Sequence, residues 1–236
     1  MLVSHEHKLV LATPFGCAST LEGAASPGSG VLSIVEGVGR YSMRVPASLK
    51  DYRRVLVVRN PYERAVLLWK WAKSYGDDVV PPKLRIEGDS ESFAKYINRI
   101  ERTARDWRAW LYKHSDWIVN EDDGRHYGFL LRSYRLCWLQ LNQVGSPNKA
   151  DVLRLEALPA WLADTGMPMD AVESSDFMQH FQRESQGELR LNVGRVRCVN
   201  RLWADVDCCL LGTYEHLGEW GSSCPVCNVK HKSEPK

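Results

Sequence analysis

Tyr52-Arg53-Arg54-Val55-Leu56-Val57-Val58-Arg59-Asn60-Pro61-Tyr62-Glu63-Arg64-Ala65-Val66-Leu67-Leu68-Trp69 is the stretch whose reading decides the fold. The apolar run Arg54–Val58 is rich in β-branched residues and is closed by Arg59-Asn60-Pro61, so it reads as a buried strand ending at a turn. Proline is tolerated in the first turn of a helix, and a helical pattern from Ala65 to Trp71 follows Pro61. Two other runs read in the same way: Lys8–Ala12, broken by Thr13-Pro14, and Asp151–Leu155. Three such runs, each followed by a helical pattern, imply a parallel sheet and the α/β class.

Further helical patterns support that class. Phe93, Tyr96, Ile97 and Ile100 follow i, i+3, i+4, i+7 spacing behind an expected cap at Asp89 or Ser90. Val196, Val199, Leu202, Val206 and Leu210 form another pattern, which stops at Gly212. Turn residues mark loops at Ser26–Gly30, Gly76–Asp89, Asn120–Gly124 and Gly145–Asn148, none of them long enough to be a domain linker. The expected organisation is one α/β domain over residues 1–221 and a polar, lysine-rich tail over 222–236.

The chain has 236 residues, 25% of them charged and 44% hydrophobic, with nine Trp and nine Tyr, enough to bury a core without help. A net charge of +2 argues against a nucleic-acid coat but leaves room for a local basic site. No apolar stretch approaches the roughly 18 residues of a membrane span, and the N-terminus lacks a signal-peptide pattern, so a cytoplasmic protein with reduced cysteines is expected. Seven cysteines form no disulfide framework. Cys224-Pro225-Val226-Cys227, with His231 beyond it and Cys208, Cys209 and His216 before it, has the two-cysteine half of a zinc site but no clearly spaced second pair. A reduced thiol pair is the expectation there, with structural zinc at Cys224 and Cys227 as the alternative.

Thr13-Pro14-Phe15-Gly16-Cys17-Ala18-Ser19-Thr20 follows the first strand directly, ahead of Leu21 and Glu22 in what could open a helix. Gly16, Cys17 and Ala18 are small enough for backbone N–H groups to approach an anion, and Ser19 and Thr20 add hydroxyl donors. Strand–turn–helix junctions of this composition are common, so the turn gains meaning only beside a second phosphate contact. Arg59 offers one, because a planar guanidinium at a strand end binds phosphate bidentately.

At Val58-Arg59-Asn60-Pro61-Tyr62-Glu63-Arg64 the sequence resembles the sulfotransferase family, whose signature is Val-Arg-Asp/Asn-Pro-x-x-Arg. Residues 13–20 resemble its Pro-Lys-x-Gly-x-Thr loop, Val152–Leu158 its Val-Leu-Arg-x-Glu-x-Leu segment, and Leu202–Tyr214 its closing helix. The resemblance covers about residues 8–215, in the order of the branch acting mainly on carbohydrates. It implies a P-loop-like central parallel β-sheet flanked by helices. It also implies 3′-phosphoadenosine-5′-phosphosulfate as co-substrate and a hydroxyl-bearing acceptor of the carbohydrate class. By the same resemblance Arg59 meets the 3′-phosphate, with Arg64 and position 67 in the same motif, and Phe15 to Thr20 hold the 5′-phosphosulfate.

Three positions depart from the pattern. Phe15 stands where the family has a lysine, Leu67 where it has a serine, and Arg44 where the branch often has a histidine. Lys8 and Arg64 are candidates to replace the missing cation. Arg44 can supply charge but is a very poor base. The base must come from elsewhere, from His114 or from Glu22 or Glu36, although His114 reads first as a structural histidine among aromatics. Trp107 and Trp110 could stack sugar rings or sit in a helix core. The apolar segment Gly128–Gln143 could cover the site or join two copies in a homodimer. Two readings therefore stand: a sulfotransferase, and a non-catalytic descendant of that fold that binds an anion or a partner. A P-loop kinase lacks its Gly-x-x-x-x-Gly-Lys-Ser/Thr run.

Overall fold

A computed structural model describes residues 1–14, 16–17, 33–34, 45–74, 85–87, 91–100, 102, 137, 141–142, 149–165, 196 and 198–199. The chain forms two compact units, Met1–Arg59 with Leu136–Glu188, and Asn60–Arg135 with Leu189–Lys236.

The first unit holds a five-stranded sheet built from β1 (Leu2–Ser4), β2 (Leu9–Ala12), β3 (Ser33–Ile34), β4 (Arg53–Val58) and β5 (Ala150–Arg154), in the order β3-β1-β2-β4-β5. β2, β4 and β5 run parallel, with Ala12 beside Leu56 and Val58 beside Arg154. Strand–helix alternation and this parallel ladder place the chain in the α/β class. Every residue of β2 is buried, as is β4 from Arg54 to Val58, as expected of strands covered on both faces.

The sheet is mixed rather than wholly parallel. β1 pairs antiparallel with both β2 and β3. Sequence reading missed β1 because three residues carry no periodicity. Lys8, expected to open the strand read over Lys8–Ala12, instead closes the hairpin turn at φ 47°, and its carbonyl accepts the Arg53 N–H at 2.8 Å. The expected strand over Asp151–Leu155 lies one residue earlier, at Ala150–Arg154. The Asn142 side-chain carbonyl accepts the Ala150 N–H at the strand's start.

Arg54 points its charge into this unit. Its Nη1 donates to the Leu141 carbonyl at 2.6 Å and its Nη2 to the Lys50 carbonyl at 3.1 Å, tying both segments to β4. Burial pushes its pKa down, yet a guanidinium remains protonated. Beyond β5 a 3-10 turn, Leu155–Ala157, leads into a short helix, Leu158–Asp164, which buries Leu158 and Leu162.

In the second unit, helix α1 (Pro61–Ser74) starts with Pro61 in its first turn, as the sequence indicates. Asn60 is its cap: the side-chain oxygen accepts the Tyr62 N–H and the carbonyl accepts the Arg64 N–H, both at 2.9 Å. α2 (residues 93–100) buries Phe93, Tyr96, Ile97 and Ile100, the four residues of the expected stripe. Its cap is Ser92, whose hydroxyl accepts the Lys95 N–H at 3.4 Å and whose carbonyl accepts the Tyr96 N–H. Asp89 and Ser90, the expected caps, precede it and lie outside the described residues. Trp69 and Phe93 meet edge to face at 5.8 Å between centroids. Of the pattern beginning at Val196, Val196 and Val199 are helical and buried, as is the neighbouring Cys198, and the remainder of the pattern lies outside the described residues.

Candidate functional site

Parallel pairing of β2 with β4 brings the exits of both strands to one end of the sheet. Thr13 to Cys17 follow β2, and Arg59 follows β4. The outer carboxyl ends of parallel strands are where α/β sheets commonly bind ligands. Of the residues expected to touch the nucleotide, the structure gathers Gly16, Cys17 and Arg59 in the first unit. Phe15, Ala18, Ser19 and Thr20 lie outside the described residues.

The β2 exit is a tight turn. The Cys17 N–H donates to the Pro14 carbonyl at 2.8 Å, with Gly16 at the third position and φ 77°. Glycine adopts that positive φ without a Cβ clash. Thr13 and Cys17 are fully buried. This corrects one expectation, because the Cys17 amide closes its own turn and is not aimed outward at an anion.

Arg59 is only 2% exposed and engaged where it lies. Water is nearly excluded from this guanidinium, so a phosphate reaching it must displace what now covers it and would gain a strengthened charge-assisted contact. Arg59 therefore has the chemistry for an anion but not an open approach.

The other candidates fall elsewhere. Lys8 sits at the opposite end of β2, about 16 Å from Thr13 by strand rise, so it cannot replace the cation expected at position 15. Arg64, 2% exposed, and Leu67, half-buried, belong to α1 in the second unit. Arg44, His114, Glu22 and Glu36 lie outside the described residues, as do Trp107, Trp110, Cys224 and Cys227. Of the apolar segment Gly128–Gln143, Cys137 and Leu141 are helical and buried. Cys17, Cys137 and Cys198 are buried thiols outside any disulfide. Among the described residues no three His, Cys, Asp or Glu side chains gather as a metal would require. No helix among them is long and apolar enough to cross a membrane.

Sequence reasoning missed one charged cluster, in the second unit. Arg99 grips Glu91 with a two-point fork, Nε to Oε1 at 3.1 Å and Nη2 to Oε2 at 2.9 Å. It also donates to the Arg85 carbonyl, and the Glu87 N–H donates to Glu91 at 2.8 Å. Burial alone would raise the Glu91 carboxyl, but Arg99 and the Glu87 amide outweigh it and hold the carboxyl below its usual range. Burial likewise opposes the Arg99 charge, and Glu91 reverses the balance upward. The guanidinium also lies over the Tyr96 ring at 5.4 Å. Burial raises the pKa of the Tyr96 hydroxyl, which has no hydrogen-bond partner among the described residues. A separation of eight residues across a cap carries no sequence signal, so nothing in the pattern announces this cluster. It closes on itself, and such closure makes it a clasp that ties Arg85, Glu87 and Glu91 to Arg99 rather than a binding site.

Comparison with family models, with curated proteins and with solved structures finds no match, so the residues at the exits of β2 and β4 must themselves carry any assignment.

Proposed function

We propose that this protein binds 3′-phosphoadenosine-5′-phosphosulfate and moves its sulfuryl group to a hydroxyl, on a carbohydrate acceptor. One observation carries the reading: β2 and β4 are parallel neighbours, so the glycine-containing turn and Arg59 stand at the same end of adjacent strands. In this reading Arg59 meets the 3′-phosphate, while the turn at Thr13–Cys17 and the hydroxyls of Ser19 and Thr20 receive the 5′-phosphosulfate. Sulfuryl transfer asks for an in-line acceptor, a base for its proton and positive charge for the leaving phosphate. His114 is the candidate base and Arg44 a candidate charge. A cytoplasmic setting, where the three buried thiols stay reduced, suits the protein. The sheet is read as a P-loop-like one on the same grounds.

Two features favour a second reading, a descendant of the fold that binds the nucleotide without turning it over. Phe15 supplies no cation at the turn. The Cys17 amide is already used by Pro14. Thermal shift with adenosine 3′,5′-bisphosphate tests both, since a ligand bound only by the folded state stabilises it by about 2.7 kcal/mol at one hundred times its Kd. A rise in Tm is the expected result, and no shift at millimolar ligand removes both readings. Transfer of labelled sulfate to a panel of glycans then separates them, turnover supporting the enzyme and saturable binding without turnover the descendant.

A further inference from the structure

The end of the sheet that carries Arg59 carries a second guanidinium. β5 runs parallel to β4, and Arg154, its last residue, lies in register with Val58, the last residue of β4. With neighbouring strands about 4.8 Å apart and a rise of about 3.3 Å per residue, strand geometry sets the Cα atoms of Arg154 and Arg59 about 6 Å from one another. Both belong to the first unit. Their surroundings differ: Arg59 is buried, whereas Arg154 is exposed on the last strand of the order β3-β1-β2-β4-β5. Contacts made by an exposed charge are worth little, so Arg154 can exchange a partner in the protein for an incoming anion at small cost. Arg59 has the chemistry for an anion without an open approach, and Arg154 has the open approach.

We infer that Arg154 is a second binding residue for the 3′-phosphate of the nucleotide, meeting it from the solvent side while Arg59 meets it from the interior. The inference rests on the nucleotide reading proposed above. Because β4 lies between β2 and β5, the order along the strand ends is the turn, Arg59, Arg154. Arg154 is therefore on the side of Arg59 away from the turn, which assigns it to the 3′-phosphate and not to the 5′-phosphosulfate that the turn receives. Two guanidiniums this close repel each other, and a phosphate between them replaces that repulsion with two charge-assisted contacts.

The experiment measures by calorimetry, at about 0.15 M salt, the Kd of adenosine 3′,5′-bisphosphate and of adenosine 3′-monophosphate for the full chain and for Arg154→Ala, Arg154→Lys and Arg53→Ala. Arg53→Ala removes the same charge from the opposite end of β4, about 16 Å away and about two Debye lengths at that salt. Expected are a weakening of about fivefold for both ligands with Arg154→Ala, about twofold or less with Arg154→Lys, and an unchanged Kd with Arg53→Ala. Parent-like binding by Arg154→Ala overturns the proposal, and so does equal weakening by Arg53→Ala, which would report net charge alone; both leave the nucleotide reading standing. Weakening of the bisphosphate without the 3′-monophosphate also overturns it, since Arg154 would then meet the 5′ group. A parent that binds the bisphosphate but not the 3′-monophosphate overturns this proposal alone, whereas a parent that binds neither overturns the nucleotide reading with it. Should Arg154→Ala fail to fold, Arg154→Gln replaces it, because glutamine keeps much of the side-chain stem and loses the charge.

Discussion

The exits of β2 and β4 leave neighbouring strands at the same end of one sheet, yet they dispose of their polar groups in opposite ways. At the β2 exit the chain satisfies itself: the Cys17 amide closes a turn on Pro14 and Gly16 supplies the positive φ the turn needs. At the β4 exit the residue that follows the strand, Arg59, carries a charged side chain that is almost wholly buried. A shared position in the fold therefore does not make two segments equal partners in binding. The β4 exit is built around a guanidinium, the β2 exit around a turn.

The largest effect should come from Arg59→Ala. Hydrogen bonds to charged groups contribute about 1.5–3 kcal/mol, so adenosine 3′,5′-bisphosphate should bind about 10- to 150-fold more weakly by calorimetry. Unchanged affinity would reverse the ranking of the two exits. Next comes Phe15→Lys, which restores a cation beside the turn and should tighten adenosine 3′,5′-bisphosphate about five- to tenfold, as expected for an added charge-assisted contact. Adenosine 3′-monophosphate, which lacks the 5′-phosphate, should not respond, and an equal gain for both would place the 5′-phosphate elsewhere. Gly16→Ala should act on stability, since alanine at φ 77° costs about 1–2 kcal/mol, a fall in Tm of about 2–8 °C by calorimetry. A variant with parent stability would show that the turn relaxes.

The smallest effect on binding, none, is expected from Glu91→Gln, which instead changes the response to acid. The Glu91 carboxyl is depressed in the folded protein, so its contribution is complete above the unfolded value near pH 4.3 and is lost as pH falls through the folded one. Denaturant melts between pH 7 and pH 3 should show the variant less stable at neutral pH and with a shallower acid loss. An identical acid limb would remove Glu91 as its source.

How much of this the sequence reveals depends on the range of each interaction. β4 and α1 are legible because an apolar run, a proline and a capping residue act within a few residues of one another. The stripe Phe93, Tyr96, Ile97 and Ile100 is legible for the same reason. β1 is not, since three residues become a strand only by pairing with Leu9–Leu11 and Ser33–Ile34. At the candidate site, Arg59 and the turn are visible as motif residues. That the Cys17 amide faces inward is not visible, because it follows from the dihedral angle at Gly16 and not from composition. The grip of Arg99 on Glu91 depends on how a helix folds back over its own approach.

The parallel pairing of β4 with β5 also governs the life of the nascent chain. About ninety residues separate Val58 from Ala150. At about 5–20 residues per second, a ribosome needs about 5–20 s to deliver β5 after β4 has emerged. Throughout that interval the Val55–Val58 side of β4 that β5 will take presents unpaired N–H and C=O groups on an apolar strand, the condition that invites pairing with another chain. Synthesis at lower temperature, or with holding chaperones in excess, should raise the yield of soluble protein more than any change to its surface.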